Sequence, residues 1–173
     1  LTVLFDMVLA VGVEQLPRAV ANGRDVDARQ AMLSASAMAC NALTNNMGAY
    51  PVHNCSHAFG ALYHIHHGEA NGVLLPILIE QLPEYYAPTA GRLARAIGVD
   101  ASGAATEVLA RVVERLRALI RACGHPLDFA RFKIAPSDLE KISLAVQQDP
   151  IAMLYPIPPQ RIAAIARAAC AWA

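Results

Sequence analysis

Ala104 to Cys123 reads A-A-T-E-V-L-A-R-V-V-E-R-L-R-A-L-I-R-A-C, a run with helical rather than strand periodicity. Val108, Val112, Leu116, Leu119 and Ile120 recur at spacings of three or four that line one side of an α-helix. Arg111, Glu114, Arg115 and Arg121 fall elsewhere, which predicts a solvated face with Glu107 or Glu114 as ion-pair partners. Gly124-His125-Pro126 follows directly and stops the helix. Nothing in the stretch alternates with the period of two that a strand requires.

The rest of the chain has the same texture. Alanine and leucine dominate, both favour helix, and alternating Val/Ile/Thr runs between tight turns do not occur. Leu4, Val8, Val11 and Gln15 share a face in the first segment, with Leu9 and Leu16 beside it; Pro17 predicts a kink or a new turn. Asn22-Gly23 ends that helix, because both residues tolerate the left-handed cap conformation. Asp25 or Asp27 caps the next, whose Ala35, Ser36, Ala37, Ala39 and Ala42 suit close helix packing. Thr44 to Gly48 reads as a turn. Helices are then predicted over about 52–63, 68–82 (bent at Pro76), 89–97 and 160–172, with another opened by Pro136-Ser137-Asp138. Tyr155 to Pro159 is an extended connector. The expectation is an all-α, multi-helix bundle in one helical domain spanning residues 1–173.

Composition narrows the function. The chain has 173 residues, 55% hydrophobic and 16% charged, with Lys plus Arg equal to Asp plus Glu at 14 each. That is enough apolar material for a core, and no basic excess points to nucleic acid. A neutral, apolar surface leads us to expect self-association or a domain interface. The apolar opening stretch carries Asp6, Glu14 and Arg18, so neither a secretory leader nor a membrane span is expected. Leu1 in place of a methionine leads us to expect sequence ahead of it. Cys40, Cys55, Cys123 and Cys170 form no C-x-x-C pair and read as reduced core thiols of a cytoplasmic protein.

Five of the six histidines lie between 53 and 67. His53 and His57 are four apart and share a helix face. His64, His66 and His67 lie where that helix ends and the next begins. Imidazole is the commonest neutral ligand for zinc, iron, nickel and copper. Clustering alone leaves two readings open, a metal site or a polar turn, and does not choose among the histidines.

The residues themselves carry a resemblance. His53-Asn54-Cys55-Ser56-His57-Ala58-Phe59-Gly60-Ala61-Leu62-Tyr63, followed by His67-Gly68-Glu69-Ala70-Asn71-Gly72-Val73-Leu74-Leu75-Pro76, resembles the signature of the iron-containing alcohol dehydrogenases. That signature runs H-x-x-x-H-x-x-G-x-x-(Y/F), then H-G-x-(A)-N-(A)-x-L-L-P. Arg18 to Leu33 resembles the helix pair before it, and Asp149-Pro150 with the proline-rich connector and last helix resembles the carboxyl end. The resemblance implies the helical carboxyl-terminal, metal-binding domain of that family. It implies Fe²⁺, or Zn²⁺, as metal, with His53 and His67 as ligands and His57 beside the chemistry in a catalytic role. It implies hydride transfer between a small alcohol or aldehyde and NAD(P), with NAD(P) bound only where an amino-terminal nucleotide-binding domain is supplied.

Two features depart from the family. Its remaining ligands come from a D-x-x-x-H pattern, and no Asp-x-x-x-His occurs in this sequence. No glycine-rich phosphate loop occurs either. His66 stands where a proline is usual, and His64 and His66 read as turn residues. The expected partners are the small substrate and either a second copy or a nucleotide-binding domain, with no nucleic acid and no membrane. The competing expectation is a truncated, non-catalytic helical module or interaction protein with at most weak histidine-based metal binding.

Overall fold

In a computed structural model, residues 2–46 and 51–172 are described. Among them the chain forms nine α-helical segments and four short 3₁₀ turns, with no strand, as the all-α reading predicts. The contacts divide it into two compact units: the chain up to Gly48 with Tyr86–Gly124, and Ala49–Tyr85 with His125–Ala173.

The first unit is built on a helical hairpin, α1 (Thr2–Ala21) and α2 (Val26–Asn46). Pro17 lies inside α1, which continues through it. The helix ends at Asn22-Gly23 as expected, but by a different device. Neither residue has a positive φ; the Asn22 side chain instead accepts from the Arg24 amide at 3.0 Å, closing the turn locally. Asp25, not Asp27, caps α2: its Oδ1 accepts from the Ala28 amide at 3.0 Å and its Oδ2 from Arg18 at 3.0 Å. Among the described side chains of α2, Ala28, Ala35 and Ala42 are buried, seven apart, so they form one seam of small side chains. Ser36 and Ala37 face solvent. Thr44-Asn45-Asn46 continues the helix where a turn was expected, because the weak local preference of asparagine yields to the helix behind it. Met47, Gly48 and the side chain of Leu4 lie outside the described residues.

The unit is completed by α6 (Ala90–Ala96), entered through a 3₁₀ turn at Ala87–Thr89, and α7 (Ala105–Ala122). Gly98, at φ 76°, closes α6 as predicted. Val108, Leu109, Val112 and Val113 are buried on α7, whereas Leu116, Leu119 and Ile120 are only half-buried. The apolar stripe is thus used fully in its first two turns alone. Glu107 Oε2 accepts from the Ala104 amide at 3.2 Å, one half of a capping box. Arg111 does not pair with a glutamate. It donates to the Asp100 carbonyl at 3.0 Å and to the Ser102 carbonyl, clasping the loop before its own helix.

The second unit contains α3 (Pro51–Tyr63), α4 (His67–Gln81), the short α5 (Pro83–Tyr86) that leads out of it, α8 (Leu139–Gln148) and α9 (Pro159–Ala169). Three 3₁₀ turns, Ala130–Phe132, Pro136–Asp138 and Pro150–Met153, connect the later helices. Its core is formed by Phe59, Leu74, Leu78, Phe129, Ile142, Ile162 and Ile165, all nearly inaccessible, with the Phe59 and Phe129 rings 4.9 Å apart. α4 runs unbroken through the buried Pro76. No helix among the described residues is long and apolar enough to cross a membrane.

Candidate metal centre

The site is made by one corner of the second unit. α3 ends at Tyr63, and His64 takes the left-handed conformation at φ 56° with its amide donating to the Gly60 carbonyl at 3.0 Å. A Cβ on residue 60 would lie 3.3 Å from the Ile65 carbonyl, so glycine lets the chain close back over α3. Ile65 is buried and anchors the corner, while His64 and His66 on either side are exposed. His66 caps α4, its Nδ1 accepting from the Gly68 amide at 3.2 Å. The three non-helical residues turn the chain so that α4 packs against α3 and brings His67 back beside it.

His67 therefore meets the first turns of α3. His53 Nδ1 and His67 Nε2 are 3.2 Å apart, with their rings stacked at 5.2 Å. The His57 ring lies 5.3 Å from that of His67 and 6.2 Å from that of His53. One nitrogen from each of the three lies within 4.8 Å of the others. His64 and His66 are not part of this cluster. His125, the sixth histidine, is structural: its Nδ1 donates to the Pro126 carbonyl at 2.8 Å and its ring packs against Gly72.

The surroundings prepare the imidazoles. Ser56 Oγ donates to the His53 carbonyl at 3.0 Å and lies 3.3 Å from His67 Nδ1. Since the hydroxyl proton is committed, its oxygen accepts from His67 Nδ1–H, which leaves the lone pair on His67 Nε2 facing His53. Burial lowers the proton affinity of His53, and the neighbouring His67 and His57 lower it further against an opposing pull from Asp149. Burial, then His57 and His66, does the same for His67. Both shifts favour the neutral imidazole that binds metals.

The donor set fits a divalent cation. Two nitrogens bound at about 2.1 Å stand about 3.0 Å apart at a right angle and about 3.4 Å apart at the tetrahedral angle. The 3.2 Å separation of His53 Nδ1 and His67 Nε2 falls between these values. Glu69 is not a further ligand: it pairs with Arg131, whose Nη2 lies 2.6 Å from Glu69 Oε1. That pair ties α4 to the turn at Ala130–Phe132, and Tyr63 OH, donating to Asp138 at 2.9 Å, ties the end of α3 to Pro136–Asp138. Burial, with Asp138 second, pushes the Tyr63 phenol well above its ordinary range, so it remains a donor. Burial pushes the Cys55 thiol up to about 12, which keeps it protonated and inert beside the histidines.

Two residues of the site were not found from sequence. Ser56 sits three residues after His53, on the adjacent helical row, and that spacing was the available signal. Asp149 contacts His57 across 92 positions, Nδ1 to Oδ2 at 2.8 Å, and no local pattern links the two. Asn54 is fully buried, and neither of its amide atoms has a hydrogen-bond partner among the described residues.

The chain as a whole resembles known proteins. The chain is 33% identical over 142 residues to the NAD-dependent methanol dehydrogenase of Bacillus methanolicus, covering 79% of this chain and 36% of that protein. It is 34% identical over 145 residues to long-chain-alcohol dehydrogenase 1 of Geobacillus thermodenitrificans (strain NG80-2), covering 83% of this chain and 36% of that one. Among solved structures it resembles 1,3-propanediol oxidoreductase with a TM-score of 0.81 at 28% identity, covering 96% of this chain and 44% of the other. The chain thus spans little more than a third of the length of these curated relatives, at 36% of each. The sequence model described as Fe-containing alcohol dehydrogenase family, C-terminal, matches residues 5–170, and the chain belongs to that family.

Proposed function

We propose that the corner between α3 and α4 is the metal-holding part of an NAD(P)-dependent alcohol dehydrogenase that interconverts a small alcohol and its aldehyde. In this reading His53 and His67 hold a divalent metal, Fe²⁺ or Zn²⁺, and His57 is the catalytic residue that exchanges the alcohol proton. A bound divalent metal supplies Lewis acidity, which makes the alkoxide accessible near neutral pH. The chain's own contribution is positional. Ser56 fixes the tautomer of His67, burial keeps His53 neutral, and the Tyr63 and Glu69 contacts hold the two helices that carry the imidazoles. The observation that carries the reading is the convergence of three imidazole nitrogens within 4.8 Å.

Hydride transfer in this reading also needs a nucleotide-binding domain and a second pair of ligands from an Asp-x-x-x-His pattern, which does not occur among these 173 residues. The chain incubated alone with Fe²⁺ or Zn²⁺, NAD(P)H and a short aldehyde is expected to show no turnover. Turnover by the chain alone contradicts that requirement. Metal retention tests the site directly: His53→Ala and His67→Ala each lose at least tenfold in Zn²⁺ affinity, and undiminished affinity in both variants removes them as ligands.

The same convergence favours a second reading, a site of three histidine ligands including His57. His57→Ala separates the two. Loss of metal as complete as in His67→Ala makes His57 a ligand, whereas retained metal leaves it to proton exchange.

A further inference from the structure

Asp149 is the one acidic side chain in hydrogen-bond contact with the histidine cluster among the described residues. It is held from both sides. It is the N-cap of the 3₁₀ turn Pro150–Met153, and its Oδ1 accepts from the Ile151 amide at 2.8 Å. Its Oδ2 lies 2.8 Å from His57 Nδ1. Its side chain is only 9% exposed, while that of His57 is 48% exposed. The carboxylate is therefore the fixed member of the pair and the imidazole the accessible one. A carboxylate is an acceptor only, so the ring nitrogen facing it must carry a proton.

We propose that Asp149 is a positioning residue that holds His57 as the Nδ1–H tautomer, leaving Nε2 as the ring nitrogen available to exchange a proton at the site. The assignment rests on the reading of His57 as the proton-exchanging group. The neutral ring has one protonated nitrogen, and a carboxylate on Nδ1 decides which. The same division of labour, a buried carboxylate orienting an imidazole that does the proton transfer, operates in hydrolase triads. The contact is long-range in sequence. It anchors the exposed ring on α3 to a cap whose geometry is set by the Pro150 turn, so His57 keeps its orientation while half in solvent.

Asp149→Asn tests this sharply. Asparagine is as good a cap as aspartate, so its oxygen keeps the Ile151 amide and its NH₂ turns toward His57. A donor at that place requires an acceptor on His57 Nδ1 and inverts the ring to the Nε2–H tautomer. Long-range ¹H–¹⁵N NMR of the imidazoles in the full chain, at a pH where they are neutral, reads the tautomer directly. The expected result is Nδ1–H in the unsubstituted chain and Nε2–H in Asp149→Asn, with helix content by circular dichroism unchanged. Asp149→Ser, which keeps a capping oxygen and withdraws the carboxylate, should lose the Nδ1–H preference; it decides the matter if Asp149→Asn fails to fold. An Nε2–H ring in the unsubstituted chain, or an unchanged tautomer in the folded variants, overturns the assignment. Zn²⁺ affinity measured on the same samples keeps the two levels apart. Affinity that depends on His53 and His67 while the tautomer ignores Asp149 defeats the positioning role and leaves the metal reading intact.

Discussion

α7 and α4 are helices of comparable length, 18 and 15 residues, and they meet water in opposite ways. α7 wears its apolar residues as a stripe and turns its arginines outward, so its pattern is plain in the sequence. α4 is apolar nearly all round, and Ala70, Val73, Leu74, Pro76, Ile77, Leu78 and Ile79 are buried on it. Periodicity is a record of one-sided burial. A helix with few wet faces keeps no such record, and this is the helix that carries His67. The more legible helix is the less deeply packed one, and the corner with the converging histidines belongs to the other.

The largest predicted effects separate these helices by stability. Leu78→Ala on α4 removes a fully buried side chain and is expected to destabilise the chain by about 2–5 kcal/mol. Leu116→Ala on α7, half-buried, is expected to lose about 1 kcal/mol or less. Chemical denaturation of both variants checks the contrast, and equal losses would erase it.

Next comes Gly72→Ala. A Cβ there would lie 2.8 Å from His125 Cε1, and that ring is held by the Pro126 carbonyl. A loss of about 1–3 kcal/mol is expected, although alanine is the better helix former. Truncating the ring in Gly72→Ala/His125→Ala should recover part of the loss; a stabilised single variant would show that the ring moves freely.

Glu107→Ala, which removes the half capping box of α7, is expected to lower stability by about 0.5–1 kcal/mol. Amide exchange should rise most over the first turn of α7, and an effect spread evenly over the chain would argue against a capping role.

The smallest effect is that of pH. His53 and His67 bind protons less readily folded than unfolded. The unfolded chain therefore takes up more protons as pH falls below about 6.5, and stability declines through that range while staying level above it. Thermal melts between pH 8 and 5 should show this slope, and His67→Ala should flatten it. An equal slope in that variant would assign the decline to other groups.

These contrasts show how much could be read in advance. The all-α class and most helix ends were legible, because proline, glycine and aspartate act locally. Asp25, Gly98 and Gly124 mark ends for reasons contained in a few residues. The turn expected at Thr44-Asn45-Asn46 failed because local preference is small beside a continuing helix. Arg111 bonds carbonyls of the loop before α7 rather than the expected glutamate, because a long side chain reaches them as easily as a glutamate one turn away. In the candidate metal centre, the family resemblance, not the clustering, singles out His53, His57 and His67, the three histidines that converge. Asp149 did not stand out, since no periodicity connects residues 92 apart. His66 looked like a turn residue and is, more specifically, the cap of α4.

We propose His53 and His67 as a metal-binding pair within this helical unit. Zn²⁺ titration of the full chain by calorimetry at neutral pH tests it most directly, alongside His53→Ala, His67→Ala and His64→Ala. One site per chain is predicted, weakened at least tenfold by the first two substitutions and unchanged by the third. Binding that is absent in the unsubstituted chain, or that falls equally with His64→Ala, would contradict the account.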